Sequence, residues 1–193
     1  MTTVFDIDTF LREMLEPQHG TLGKVARHKL CYAVLRLGIG VTGDSPFDGR
    51  VVAWPLGPVF VDLWEHPDVE GDPRNIPPDV REICIVVAGR LGGIPGEKLA
   101  VSSHTRYPEW KIARGKLPAK RCGDNEITRE LIHRVTWEQF HVEGHGKDQI
   151  ITERASHDNS LAWLQWRELG FCCATRSTLF GGASLPFKER ANV

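Results

Sequence analysis

Histidine, glutamate, lysine and serine cluster at four places in this chain, and each cluster maps to a different chemistry. In His141-x-Glu143-x-His145, alternate spacing on a strand would set three ligand-type side chains on one side, the beginning of a metal site. Gly144 and Gly146, with no cysteine pair nearby, point instead to a loop. The same His-x-Glu opens the zinc deaminase signature, but Cys172-Cys173 does not supply the PCxxC that must follow. Gly144-His-Gly-Lys147 has the ending of a phosphate-binding loop. That motif requires Gly at 141 and Ser or Thr at 148, where this chain has His141 and Asp148. Gly182-Ala-Ser184-Leu-Pro186 lacks the glycine that must follow the serine of a nucleophile elbow. In Ser102-Ser103-His104 the hydroxyls and the imidazole are sequence neighbours, which face apart on a helix. His104 therefore reads as a hydrogen-bonded structural histidine in preference to a general base. Asp62 and Glu65 are paired carboxylates on an expected exposed face, where they serve solubility.

The stretch from Arg106 to Arg121 holds six bases against Glu109 alone, interleaved with Tyr107 and Trp110. Cations that contact phosphate and aromatics that stack on bases are combined this way in nucleic-acid binders. The competing reading has Trp110 packing inward while the bases are solvated. It is preferred because the chain's net charge of -1 provides no global pull on a polyanion. Upstream, Asp62 to Glu82 holds seven acids against Arg74 and Arg81. Two solvated surfaces, or one polarised surface that steers a partner, both fit this division.

These residues must be positioned by a mostly helical scaffold. A helix over 5–15 carries Phe10, Leu11, Met14 and Leu15 on one stripe, with Asp6 or Asp8 as cap and Pro17 to Gly20 as breaker. A second helix from about Thr21 to Leu37 presents one apolar face and ends at Gly38 and Gly40. Val41 to Asp48 reads as a loop. Val51, Val52 and Ala53 read as a short buried strand ended by Trp54-Pro55. Gly57 and Pro58 then start a helix running through Val59, Phe60, Leu63 and Trp64. Pro77-Pro78-Asp79 opens a broad-faced helix to Leu91, expected to be central. Shorter helices follow over 97–105 and 108–114. A last core helix is capped by Asp124 or Asn125 and carries Ile127, Leu131, Ile132, Val135 and Phe140. Beyond residue 140 the pattern weakens to a glycine linker, a helix near 158–169 and a poorly patterned end. The fold class is thus mainly α, α+β at the margin: a helical domain over 1–140 with one short β element, and a C-terminal extension over 141–193.

Composition agrees with this reading. The chain has 193 residues, 41% of them hydrophobic, enough for a proper core. Five cysteines without a CxxC favour a reducing cytoplasm over a disulfide framework. The N-terminus has Asp6 and Asp8 and no basic region, so no secretory leader is expected. The longest apolar run, Ile83 to Gly89, is too short to span a bilayer.

Several motifs line up in order. They are Lys29-Leu-x-Tyr32, a loop ending at Phe47, Ala53-Trp54-x-x-Gly57-Pro58-Val59, Ser103-His104-Thr105, and Glu109-Trp110-x-x-Ala113-Arg114. Together, over about residues 22–135, they resemble the Panacea domain, the SocA-like antitoxin family also found in prophage genes. Pro46-Phe47 lacks the family's intervening leucine, and Ser103 stands where threonine is preferred. The resemblance implies a cytoplasmic, non-enzymatic antitoxin that neutralises a co-encoded protein toxin by direct binding, with no cofactor, metal or membrane. Under it Tyr32, Phe47, Trp54, Gly57, Pro58, His104, Trp110 and Arg114 hold the architecture or an interface, with Arg114 tying helices together. Trp163 and Trp166 either anchor a partner or pack the tail helix onto the core. Two alternatives stand beside it. One is a DNA-binding transcriptional regulator or phage-associated protein using the basic 106–121 stretch. The other is a hydrolase or metalloenzyme around His104 or His141 and His145.

Overall fold

Helix α2 (Lys24–Thr42) is buried on nearly every side, and the other elements are arranged around it. The computed structural model describes residues 1–143, 150–153 and 174–175, with side chains for residues 1–136. The elements in chain order are α1 (Val4–His19), α2, β1 (Val51–Trp54), β2 (Gly57–Phe60) and α3 (Val61–Glu65). They continue with α4 (Pro78–Leu91), α5 (Gly96–Arg106), α6 (Pro108–Arg114), α7 (Arg129–Gln139), β3 (Phe140–Glu143), β4 (Ile150–Glu153) and β5 (Ala174–Thr175). The fold is mainly helical with a small antiparallel hairpin, β1–β2, as the composition of its segments implies.

Helix α2 is central because its apolar residues go all the way round, the mark of a fully enclosed helix. Leu30, Cys31, Tyr32, Val34 and Ile39 are all buried, and α1, α4, α5, α7 and β2 pack on it. The expected one-sided face, and the expectation that α4 would be the central helix, are corrected accordingly. Gly38 and Gly40 do not end α2; Gly43, in the left-handed conformation, does. Gly38 is small for a packing reason, since a Cβ there would lie 2.5 Å from Pro46 Cγ.

Helix α1 begins at Val4, one residue before the expected start, but its cap differs. Thr3 is its cap, and Asp6 completes a capping box by accepting from the Thr3 backbone at 2.7 Å. Asp8 caps nothing: its buried carboxylate takes a two-pronged bond from Arg27 at 2.9 and 2.7 Å, tying α1 to α2. Pro17 lies inside the helix, which runs on to His19. At the other end of the core, α7 starts at Arg129, where the Thr128 hydroxyl accepts from Leu131 N–H at 3.2 Å. Asp124 and Asn125 are not its caps. Instead the Asn125 carbonyl accepts from Ala53 N–H at 2.8 Å, and Val51 accepts from Ile127 N–H at 2.9 Å. The segment before α7 thereby becomes a third line beside β1.

The hairpin also differs from the expected strand-to-helix corner. Val51 to Trp54 pair with Phe60 to Gly57 across a Pro55-Leu56 turn, so Pro58, Val59 and Phe60 lie in a strand and the helix waits until Val61. Proline fits there because β2 is the outer strand of the pair, where a missing N–H costs no ladder bond. Phe140 starts β3 in place of ending a helix. Residues 141–143 are strand, not loop, paired antiparallel with β4, which pairs in turn with β5. The cross-strand ladder claims their backbone groups despite the glycines that follow. His145 and the helix expected near 158–169 lie outside the described residues.

Candidate functional site

Chemistry-bearing side chains gather on the two sides of the β1–β2 hairpin. On one side, α2 supplies two consecutive residues to the outer edge of β2. Lys29 Nζ donates to the Pro58 carbonyl at 2.8 Å, and His28 Nδ1 accepts from Phe60 N–H at 3.3 Å. Both are buried. Desolvation drives the Lys29 ammonium down to about 7. Desolvation, followed by the charges of Lys29, Arg27 and Lys24, lowers His28 to about 3 and keeps it a neutral acceptor. Gly57 must be glycine in this setting. Its φ is +98°, and an added Cβ would meet Ser103 Oγ and lie 2.9 Å from Lys29 Cε.

On the other side, α6 is threaded to β1. Trp110 Nε1 donates to the Trp54 carbonyl at 2.9 Å, and the Trp54 indole donates to the Gly123 carbonyl at 3.1 Å. Arg114 donates to Ala53 O at 3.0 Å and fans out to the carbonyls of Pro118, Ala119 and Arg121 at 2.7, 2.9 and 3.1 Å. It therefore ties α6 to a strand and a loop, not helix to helix. His104 stacks on Trp110 with ring centroids 4.3 Å apart and planes within 13°. Its pKa is lowered, chiefly by burial, against an opposing interaction with the Pro55 backbone, and its Nε2 is buried without a partner.

Beneath α6 lies an ion pair that the sequence reading passed over. Glu109 is fully buried, and its Oε1 accepts from Tyr32 Oη at 2.9 Å and from Arg36 Nε at 2.8 Å. Oε2 has no hydrogen-bond partner. Desolvation and the adjacent carboxylate push the Tyr32 phenol well above its ordinary range. The Arg36 guanidinium also stays above its usual value, since Glu109 and its neighbours outweigh the burial that disfavours its charge. Tyr107 completes the group, edge-on to Tyr32 at 5.1 Å.

The structure thus brings Tyr32, Trp54, Gly57, Pro58, His104, Trp110 and Arg114 into one continuous region. Phe47 is separate, packed on Phe60 with ring centroids 5.7 Å apart in the apolar core. Trp163 and Trp166 lie outside the described residues. Sequence reasoning missed Glu109, Arg36, His28 and the depth of Lys29. The available signal was that Lys29 and Arg36 flank the apolar run Leu30 to Leu35 of one helix, a pattern that calls for buried partners. A lone glutamate beside a tryptophan in a basic run was the complementary clue.

This arrangement is built to hold shape. The Ser103 hydroxyl is buried and donates to Ala100 O at 2.7 Å, while His104 turns to Trp110, so the two do not form a nucleophile and base pair. Two surface grooves lie elsewhere. One, of about 230 Å³, is bounded by Thr9, Arg12, Glu16 and Glu70. The other, of about 400 Å³, lies between Arg50, Val51, Glu126 and Glu130. Neither is lined by the motif residues. Trp110 is turned inward, and Lys111, Lys116, Lys120 and Arg121 are exposed, without ion-pair partners among the described residues. Among the described residues no group of three or more His, Cys, Asp or Glu is placed to hold a metal, and no helix is long and apolar enough to cross a membrane. No family model, curated protein or solved structure matches the chain.

Proposed function

We propose that this chain is an antitoxin that neutralises a co-encoded protein toxin by direct contact, as the resemblance to the Panacea domain implies. One observation carries the reading. The motif residues other than Phe47, which are scattered from Tyr32 to Arg114, converge on one buried network of hydrogen bonds and stacked rings around one hairpin. Residues so used fix a scaffold, and the work of recognition then falls to the exposed faces. The protein acts without a cofactor, in the cytoplasm. The test is to express the adjacent open reading frame alone and together with this chain. Toxicity relieved by a co-purifying complex supports the proposal, and a harmless neighbour that forms no complex refutes it.

The four exposed, unpaired cations between Lys111 and Arg121 favour a second reading, a DNA-binding regulator. It requires duplex binding that weakens steeply with salt and weakens further, without unfolding, when Lys111 and Lys116 are both replaced by alanine. Affinity indifferent to those changes refutes it.

A further inference from the structure

One exposed indole, Trp64, is used by neither reading. Trp64, on α3, is 48% exposed, and its ring meets the Trp54 ring edge-on at 5.0 Å. Trp54 in turn holds Gly123 at the end of the loop that Arg114 clamps. The two indoles therefore form an apolar centre between two flanks of opposite charge. On the α3 flank Asp62 and Glu65 are exposed, and on the loop flank Lys120 and Arg121 are exposed. None of these four has an ion-pair partner among the described residues. An exposed tryptophan is a frequent anchor of protein contacts.

We propose that this patch is the interface of a symmetric dimer with a second copy of the chain. A two-fold contact uses the same patch on both partners, so the patch must be complementary to itself. A rotation about the indole centre sets Lys120 and Arg121 of each copy against Asp62 and Glu65 of the other, and covers Trp64. Lys24, whose ammonium lies 5.9 Å from the Trp64 ring centroid, borders the same indole. A nucleic acid fits the same surface poorly, because its phosphates would meet the α3 carboxylates. The centre is small, so association is weak and salt-sensitive, in the class of interfaces burying less than about 1,200 Å² in total. This inference does not depend on the antitoxin reading.

The test is sedimentation of the purified full chain, without any partner, over concentrations from about 1 to 200 µM, a range that brackets micromolar association. The expected result is a weight-average mass that rises toward twice that of the chain and falls back as salt is raised. Trp64→Ser and Arg121→Glu each shift the rise to at least about tenfold higher concentration, a change of 1.4 kcal/mol. Arg121→Glu is fully surface-borne, so it remains informative if Trp64→Ser lowers stability. Arg121→Glu combined with Asp62→Arg restores association by exchanging the charges. A mass that stays at one chain throughout, association unchanged by both single variants, or a charge-exchanged variant that fails to recover each overturns the proposal. None of these outcomes bears on toxin neutralisation, which is read by co-expression.

Discussion

Lys29 offers the sharpest test of the hairpin's energetics. Its ammonium is buried against one carbonyl, and its folded pKa is about 7 against an ordinary 10.5. A base with a depressed folded pKa contributes stability that is complete above 10.5, where both states are neutral. That stability is lost as pH falls toward 7, because the unfolded chain takes up the proton first. Over the whole window the linkage amounts to roughly 5 kcal/mol. Cys31 and Cys84 complicate the upper half. Their buried thiols sit above the ordinary 9.0, so stability falls again as unfolded thiols ionise. The cleanest interval is therefore pH 7 to 8.5, in which Lys29 dominates and should raise stability by roughly 1–2 kcal/mol. Urea unfolding followed by tryptophan fluorescence should show a midpoint rising by about 0.5–1 M across that interval. Lys29→Met keeps the apolar stem and removes the charge. It leaves the Pro58 carbonyl without its donor, at about 1–3 kcal/mol, yet abolishes the desolvation of the ammonium. The variant should be at least as stable as the parent near pH 7 and show a nearly flat profile to 8.5. A parent profile that is itself flat, or a slope that survives in Lys29→Met, refutes the assignment of the buried ammonium.

Three further outcomes follow from the same contacts. Glu109→Ala leaves Arg36 buried without its counter-charge and should cost about 3–5 kcal/mol, measured by urea unfolding at neutral pH. Arg114→Ala removes four carbonyl contacts and should cost roughly 3 kcal/mol; hydrogen exchange should quicken over 118–121 before any global opening. Gly57→Ala combines a left-handed backbone with contacts to Ser103 and Lys29, and should lower stability by about 2 kcal/mol or more, seen as a fall in melting temperature.

How much could be read without coordinates depended on where the deciding contacts lie. Helices α4, α5 and α6 were legible nearly to the residue because prolines and glycines at their ends act locally. The hairpin was not. Pro58 carries the same local preference as Pro78 and Pro108, but pairing of β2 with β1 overrides it, and pairing is a long-range fact. Gly38 resembled a helix stop because nothing in its neighbours reveals that Pro46 presses against it. The motif residues could be named in sequence, but their partners could not: Glu109 bonds to Tyr32 and Arg36 from more than seventy residues away. Thr3 was overlooked as a cap because its partner Asp6 was read as the cap itself.

The Arg114 fan carries a consequence for how such a protein can change over generations. The guanidinium holds the 118–121 loop through peptide carbonyls, which every amino acid possesses. The course of the loop is therefore set largely from outside it, by Arg114 and by the Trp54 indole on Gly123, and the loop's own side chains are released from that duty. Lineages can exchange charge, size and polarity at Lys120 or Arg121 while the backbone keeps its path. A segment of constant shape and free composition lets a scaffold acquire a new specificity without being refolded.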